Sequence, residues 1–60
     1  MKYSVSMAIG EFFAFLGEVE SPNYDDAVKQ ARKLCKSRGV SSYRLSWLVN
    51  SEPHHVFLTN

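Results

Sequence analysis

The chain has one cysteine, Cys35, and no apolar segment that approaches the length of a membrane span. One cysteine cannot form an internal disulfide, and a membrane-crossing helix needs roughly 20 consecutive apolar residues. The first ten residues alternate between apolar and polar side chains, unlike the continuous apolar core of an export signal. These absences argue against a disulfide-stabilised or helical membrane protein, and the lone thiol favours a reducing cytoplasm.

Residues that bind metals or carry out catalysis are few and scattered. His54 and His55 are adjacent and distant from Cys35, which is not the spacing of a zinc site. Cys35 falls on the apolar stripe of a predicted helix, where a free thiol usually acts as a small hydrophobic group. No local motif combines a nucleophile, a base and an orienting acid. We therefore expect no enzymatic activity, no cofactor, no metal and no small-molecule substrate.

The composition predicts one small globular domain over residues 1–60. Hydrophobic residues make up 45% of the chain and charged residues 22%, which fits neither a disordered nor a membrane protein. A chain of this length buries only about 60% of its unfolded surface, so its core is marginal. Because disulfides and metals are not expected, self-association or a partner protein is the remaining source of stability.

The first half predicts a β-hairpin. Residues 2–9 alternate as a half-buried strand, Gly10-Glu11 suit a two-residue type II′ turn, and residues 12–19 return as a second strand with an irregularity at Gly17. Ile9 then pairs with Phe12, and paired residues share a face. The predicted core face carries Tyr3, Val5, Met7, Ile9, Phe12, Ala14 and Leu16. The opposite face carries Phe13, Phe15 and Val19 among Lys2, Ser4, Ser6 and Ala8.

The second half predicts a helix and two further strands. A helix from about Tyr24 to Arg38 is capped by Ser21 or Asn23 and stopped by Gly39, with an apolar stripe of Ala27, Val28, Ala31, Leu34 and Cys35. A strand from Tyr43 and a short strand over residues 54–59 flank a four-residue loop. That loop would pair Trp47 with Val56 and Leu45 with Leu58, leaving Leu48 and Phe57 on the opposite face beside Arg44 and His55. A slip of one residue would reverse this assignment.

The predicted fold is α+β: a two-layer ββαββ domain with one mostly antiparallel four-stranded sheet and a single helix on one face. The helical connection can return the third strand beside the first, giving the order 2-1-3-4, although the sequence leaves the order open.

Two surfaces are candidate binding sites. The first is the sheet face that the helix leaves uncovered, because large apolar groups left in water favour association; its candidate partner-binding residues are Phe13, Phe15, Leu48, Phe57 and Arg44. The alternative is that these are ordinary scattered surface aromatics, or core residues in a different register.

The second surface is basic and helical. Lys29, Arg32, Lys33 and Lys36 recur at helical spacing, and Arg38 extends the row. Such a row can contact the phosphates of a nucleic acid. The alternative is a solvated helix face that complements the helix dipole, which the net charge of +1 favours.

Three resemblances accompany these patterns. Phe13-Ala14-Phe15-Leu16 looks like part of the aromatic motif of RNA-recognition motif domains, but Glu11, Phe12 and Glu18 depart from that motif, and we interpret the match as coincidental. The Met1-Lys2-Tyr3 strand and the helix containing Ala27, Val28 and Ala31 are loosely similar to HicB-type antitoxins. The hairpin–helix–strand order also resembles small phage or mobile-element proteins that bind a host protein, which would place the chain in the host cytoplasm.

The sequence therefore favours a non-enzymatic interaction module, of the phage accessory kind, that binds and inhibits or regulates a partner protein. The expected partner is another protein, a second copy of the chain, or both. A homodimer would form through the uncovered sheet face or through an exposed strand edge. Nucleic-acid binding through the basic helix is the first alternative, and an antitoxin-like role is the second.

Overall fold

The computed structural model describes all 60 residues and contains four strands and one helix. The elements are β1 (Lys2–Ile9), β2 (Phe12–Glu20), α1 (Tyr24–Ser37), β3 (Ser42–Val49) and β4 (Glu52–Thr59). The strands form one antiparallel sheet in the order β2-β1-β3-β4. The predicted ββαββ fold is confirmed, and β3 lies beside β1.

The β1–β2 hairpin begins as predicted and then changes register. Gly10 has a φ of 59°, as the first position of a type II′ turn requires, and Ile9 pairs with Phe12. Further along, Ser6 pairs with Phe15 but Val5 pairs with Gly17, so Leu16 is an extra residue in a β-bulge. Because of the bulge, Val19 pairs with Tyr3 of β1 and its side chain lies on the helix side of the sheet, where it is buried. The prediction that Val19 lies on the uncovered face is wrong, because strict alternation took no account of the extra residue.

The helix starts and stops at capping residues that the sequence provides. The Asn23 side chain accepts a hydrogen bond from the Asp26 backbone N–H at 2.9 Å, so Asn23 is the N-cap. At the other end, Gly39 has a φ of 69°, and the Val40 N–H donates to the Cys35 carbonyl at 2.8 Å. The helix ends at Ser37, one residue earlier than predicted.

Small residues let the helix pack closely against β1, β2 and β3. Ala27, Ala31 and Cys35 are fully buried. Leu34 packs over Gly17: a Cβ atom added to Gly17 would lie 3.5 Å from Leu34 Cδ2. The remaining core side chains come from the sheet: Tyr3, Val5, Val19, Tyr43 and Leu45. The predicted apolar stripe of the helix is therefore confirmed.

Trp47 joins the N-terminal end of the helix to the sheet. Its ring centroid lies 5.5 Å from that of Tyr3, 5.6 Å from that of Tyr24 and 5.8 Å from that of His54. These rings close the end of the core at which the helix begins.

The tip of the first hairpin extends beyond the core. The last pair between β1 and β3 is Met7 with Tyr43, so residues after Met7 have no β3 neighbour. Ile9 is 52% exposed and Phe12 is 76% exposed. The prediction that Phe12 is a core residue is wrong: its side chain is on the helix side of the sheet, but the core does not extend to the hairpin tip.

The β3–β4 connection is shorter than predicted. Asn50 and Ser51 both have positive φ, at 51° and 67°, as in a two-residue type I′ turn. Trp47 therefore pairs with His54 and Leu45 with Val56, rather than with the predicted partners two residues further on. Because a shift of two residues keeps every side chain on its face, the predicted placement of Leu48 and Phe57 opposite the helix is confirmed.

Candidate protein-binding surface

One face of the sheet has no helix against it, and we call it the open face. The strand pairings place sixteen residues on this face. They are Lys2, Ser4, Ser6 and Ala8 on β1; Phe13, Phe15, Glu18 and Glu20 on β2; Ser42, Arg44, Ser46 and Leu48 on β3; and Pro53, His55, Phe57 and Thr59 on β4. All five residues predicted to bind a partner are among them.

Three of the five predicted residues form an aromatic cluster. The ring centroids of Phe13 and Phe57 are 5.6 Å apart, although these residues belong to the two edge strands. The Arg44 guanidinium carbon lies 4.2 Å from the Phe13 ring centroid, within the range of a cation–π contact. Two small side chains on central strand β1, Ser6 and Ala8, leave room for the rings to meet. The cluster of Phe13, Arg44 and Phe57 is thus an ordered feature of the open face.

Arg44 has unused hydrogen-bonding capacity within this cluster. Its Nε atom is buried and has no hydrogen-bond partner. Buried polar groups are normally paired, and an unpaired one is costly. The guanidinium is therefore held in place by the Phe13 ring and not by an acceptor of its own chain.

The other two predicted residues make none of these ring or cation contacts and are nearly as exposed as Phe57. Phe15 is 66% exposed and Leu48 is 63% exposed. Leu48 borders a shallow groove of about 450 Å³ whose lining includes Lys2, Glu18 and Pro53. The open face therefore has an aromatic half and a more polar, grooved half.

The sequence did not predict the hydrogen bond between Ser46 and His55. Ser46 Oγ lies 2.9 Å from His55 Nδ1 across the β3–β4 ladder. The sequence favours a four-residue loop there, whereas a two-residue turn at Asn50-Ser51 places Ser46 opposite His55. Neither side chain is hydrogen-bonded to a carboxylate, so the pair lacks the third group that orients a catalytic histidine.

The basic helix surface is a second, separate surface. Lys29, Arg32, Lys33 and Lys36 border one shallow groove of about 390 Å³ together with Asp26 and Gln30. Arg38, the fifth predicted nucleic-acid contact, is the C-cap and lies outside the groove. The structure thus brings four of the five predicted basic residues together.

Asp26 at the start of this groove is held in its charged form. Its carboxylate accepts hydrogen bonds from Gln30 Nε2 at 2.7 Å and Ser21 Oγ at 2.8 Å. The Gln30 bond is the largest cause of a lowered Asp26 pKa, and the Ser21 bond is the second; desolvation opposes them, and nearby Lys29 makes the smallest contribution to the lowering. Asp26 therefore gives the groove a negative charge among its four positive ones.

Other kinds of site find little support in the side-chain arrangement. Cys35 is fully buried, and burial raises the pKa of its thiol, which makes the thiolate scarce. No three His, Cys, Asp or Glu side chains are grouped closely enough to bind a metal ion. The single helix is too short and too polar to cross a membrane.

Comparison of the chain with protein-family models, curated proteins and solved structures gives no significant match.

Proposed function

We propose that this chain is a non-enzymatic interaction module that binds and regulates a partner protein through the open face. The observation that carries the proposal is the aromatic cluster of Phe13, Arg44 and Phe57, flanked by exposed Phe15 and Leu48. Aromatic residues and arginine are enriched at protein interfaces and dominate their binding energy. Here they stand on a rigid sheet and not on loops.

The size of the open face suits a protein partner. The two longest dimensions of the molecule are 30 Å and 22 Å. A partner that covered much of a surface this size would approach the roughly 800 Å² that each protein contributes to a standard interface. Since Arg44 is already packed against Phe13, binding would cost little further ordering of this side chain.

The regulatory part of the proposal follows from the small size of the chain. A 60-residue domain that covers part of another protein can inhibit it by occupying a functional surface. The phage accessory and antitoxin-like roles are two forms of this proposal that differ only in the partner. A cytoplasmic location is proposed with them.

Affinity capture with matched variants tests this proposal. Tagged protein is incubated with nuclease-treated lysate, beside Phe15→Ser as the test variant and Phe12→Ser as the control. Both phenylalanines are highly exposed, but Phe12 lies on the helix side of the sheet. We expect a partner that wild type and Phe12→Ser retain and Phe15→Ser loses by about tenfold. Equal retention by all three proteins would contradict the proposal.

The basic helix surface supports a second candidate function, nucleic-acid binding. The supporting observation is that four basic side chains border one polar groove. Binding of single- or double-stranded probes should then weaken steeply with salt. Replacing Lys29 and Lys33 together with Gln should reduce it while Phe15→Ser does not. Complexes that disappear on nuclease treatment would favour this function over the first.

A further inference from the structure

The two edges of the sheet differ in how well they are protected from pairing with another strand. An edge strand exposes unpaired backbone N–H and C=O groups, and proteins block such edges with bulges and charged side chains. Edge strand β2 has both: the bulge at Leu16 and the carboxylates of Glu18 and Glu20. In addition, Gln30 Nε2 donates a hydrogen bond to the backbone carbonyl of Glu20 at 2.9 Å, so this carbonyl already has a partner.

Edge strand β4 has such features only at its start, where Glu52 and Pro53 follow the turn. No Lys, Arg, Asp or Glu occurs from Pro53 to Asn60, and the β3–β4 register is regular throughout. The helix packs mainly on β1, β2 and β3, so it gives β4 little cover. Val56 and Leu58 remain only partly buried at the margin of the core.

The direction of the β4 backbone groups follows from the ladder. The Asn60 N–H donates to the Ser41 carbonyl at 2.8 Å, so even-numbered residues of β4 direct their backbone groups to β3. The N–H groups of His55, Phe57 and Thr59 therefore face outward. Pro53 also occupies an outward position, where its missing N–H removes no bond to β3.

We propose that β4 pairs antiparallel with β4 of a second copy of this chain, about a two-fold axis at Val56. The pairing would join two four-stranded sheets into one of eight strands. His55 of each copy would lie opposite Phe57 of the other, and their outward N–H and C=O groups would form the hydrogen-bonded pairs.

A second copy suits this edge because the pairing is self-complementary. Val5, Leu45 and Val56 pair in one row across β1, β3 and β4 on the helix side. Placing Val56 against its own counterpart continues this apolar row into the second copy. No like charges oppose each other anywhere between Pro53 and Thr59, which a self-pairing strand requires.

The dimer is independent of the function proposed above. Pairing through β4 leaves both open faces accessible and places them side by side on one sheet. Failure to capture a partner from lysate would not affect it, because it is measured on the purified protein.

Sedimentation velocity with two matched lysine variants tests the dimer. Phe57 and Phe15 are both on the open face, at 68% and 66% exposure, but lie on opposite edges. Between about 5 and about 200 µM we expect wild type and Phe15→Lys to dimerise, and Phe57→Lys to dimerise at least about tenfold more weakly. The reason is that two introduced ammonium groups would lie close together across the axis. Near-ultraviolet circular dichroism confirms that each variant is folded.

Other outcomes overturn the proposal in distinct ways. A wild type that remains monomeric throughout this range excludes the dimer. Equal weakening by both substitutions indicates packing through the open face, and weakening by Phe15→Lys alone indicates the β2 edge.

Amide hydrogen exchange provides a second readout that does not depend on a substitution. We expect the amides of His55, Phe57 and Thr59 to become protected as the protein concentration rises. The amides of the even-numbered residues Val56 and Leu58 are already bonded to β3 and should change less. Concentration-independent exchange at the three outward amides would contradict pairing through β4.

Discussion

Both faces of this sheet carry large apolar side chains, but those that are buried all lie on the helix side. On β3, Tyr43 and Leu45 are fully buried under the helix, whereas Leu48 on the open face is 63% exposed. The covered face is closed by small helix residues that approach the strands closely. The open face is occupied by aromatic rings that pack on each other and on Arg44. For large apolar side chains such as Leu45 and Leu48, burial in this domain therefore depends on whether the helix covers them.

The largest expected effect compares two leucines on the same strand. Leu45→Ala should destabilise the fold by about 2–5 kcal/mol, because it leaves a cavity in the core. This loss is comparable to the whole stability of a small domain, so the variant should be largely unfolded. Leu48→Ala should change the free energy of unfolding by less than about 0.5 kcal/mol. Far-ultraviolet circular dichroism in water detects the loss of structure in Leu45→Ala, and urea denaturation measures the effect of Leu48→Ala; equal effects would mean that both faces are buried alike.

A smaller difference in stability is expected between substitutions of Phe13, whose ring packs against other side chains, and Phe15, whose ring does not. Phe13→Ala removes the contacts with Phe57 and Arg44 and should cost about 1–2 kcal/mol. Phe15 makes no comparable ring or cation contact, so Phe15→Ala should cost about 0.5 kcal/mol or less. Thermal unfolding of the two variants checks this difference. If Phe15→Ala were the more destabilising, the aromatic cluster would not be a stabilising unit.

The smallest effect concerns the helix that covers the core and depends on pH. Because the folded-state pKa of Asp26 is lowered, its ionisation stabilises the fold above the unfolded-state pKa, and this contribution is lost as pH falls through the folded-state pKa. Asp26→Asn should therefore be less stable than wild type near neutral pH, with the difference shrinking between about pH 5 and about pH 2.

Denaturation at several pH values measures this effect. Asp25→Asn is the control, since it removes the same charge one residue earlier without breaking a side-chain hydrogen bond of Asp26. A difference between wild type and Asp26→Asn that stays constant down to about pH 2 would contradict the assigned role of the carboxylate.

Periodic patterns predicted the elements and most faces correctly. The alternation of residues 2–9 and the helical stripe from Ala27 to Cys35 each repeat several times, so one irregular position does not change the assignment. Phe13, Phe15, Leu48 and Phe57 were placed on the open face for this reason. The strand order remained open because pairing between distant segments leaves little trace in local sequence.

The errors arose where the outcome depends on a single residue or on coverage by another element. The bulge at Leu16 moved Val19 to the helix side, and only Gly17 signalled an irregularity there. The turn at Asn50-Ser51 uses two non-glycine residues with positive φ, which is an uncommon choice. The exposure of Phe12 depends on where β3 and the core end, and the hairpin sequence does not specify this.

The position of Trp47 makes its intrinsic fluorescence a probe of the contact between helix and sheet. It is the only tryptophan in the chain, and its ring touches β1, the first turn of the helix and β4 through Tyr3, Tyr24 and His54. Separation of the helix from the sheet would expose this indole to water before the strands need to part. Its fluorescence and the far-ultraviolet signal of the sheet would then change together only if helix and sheet unfold as one unit.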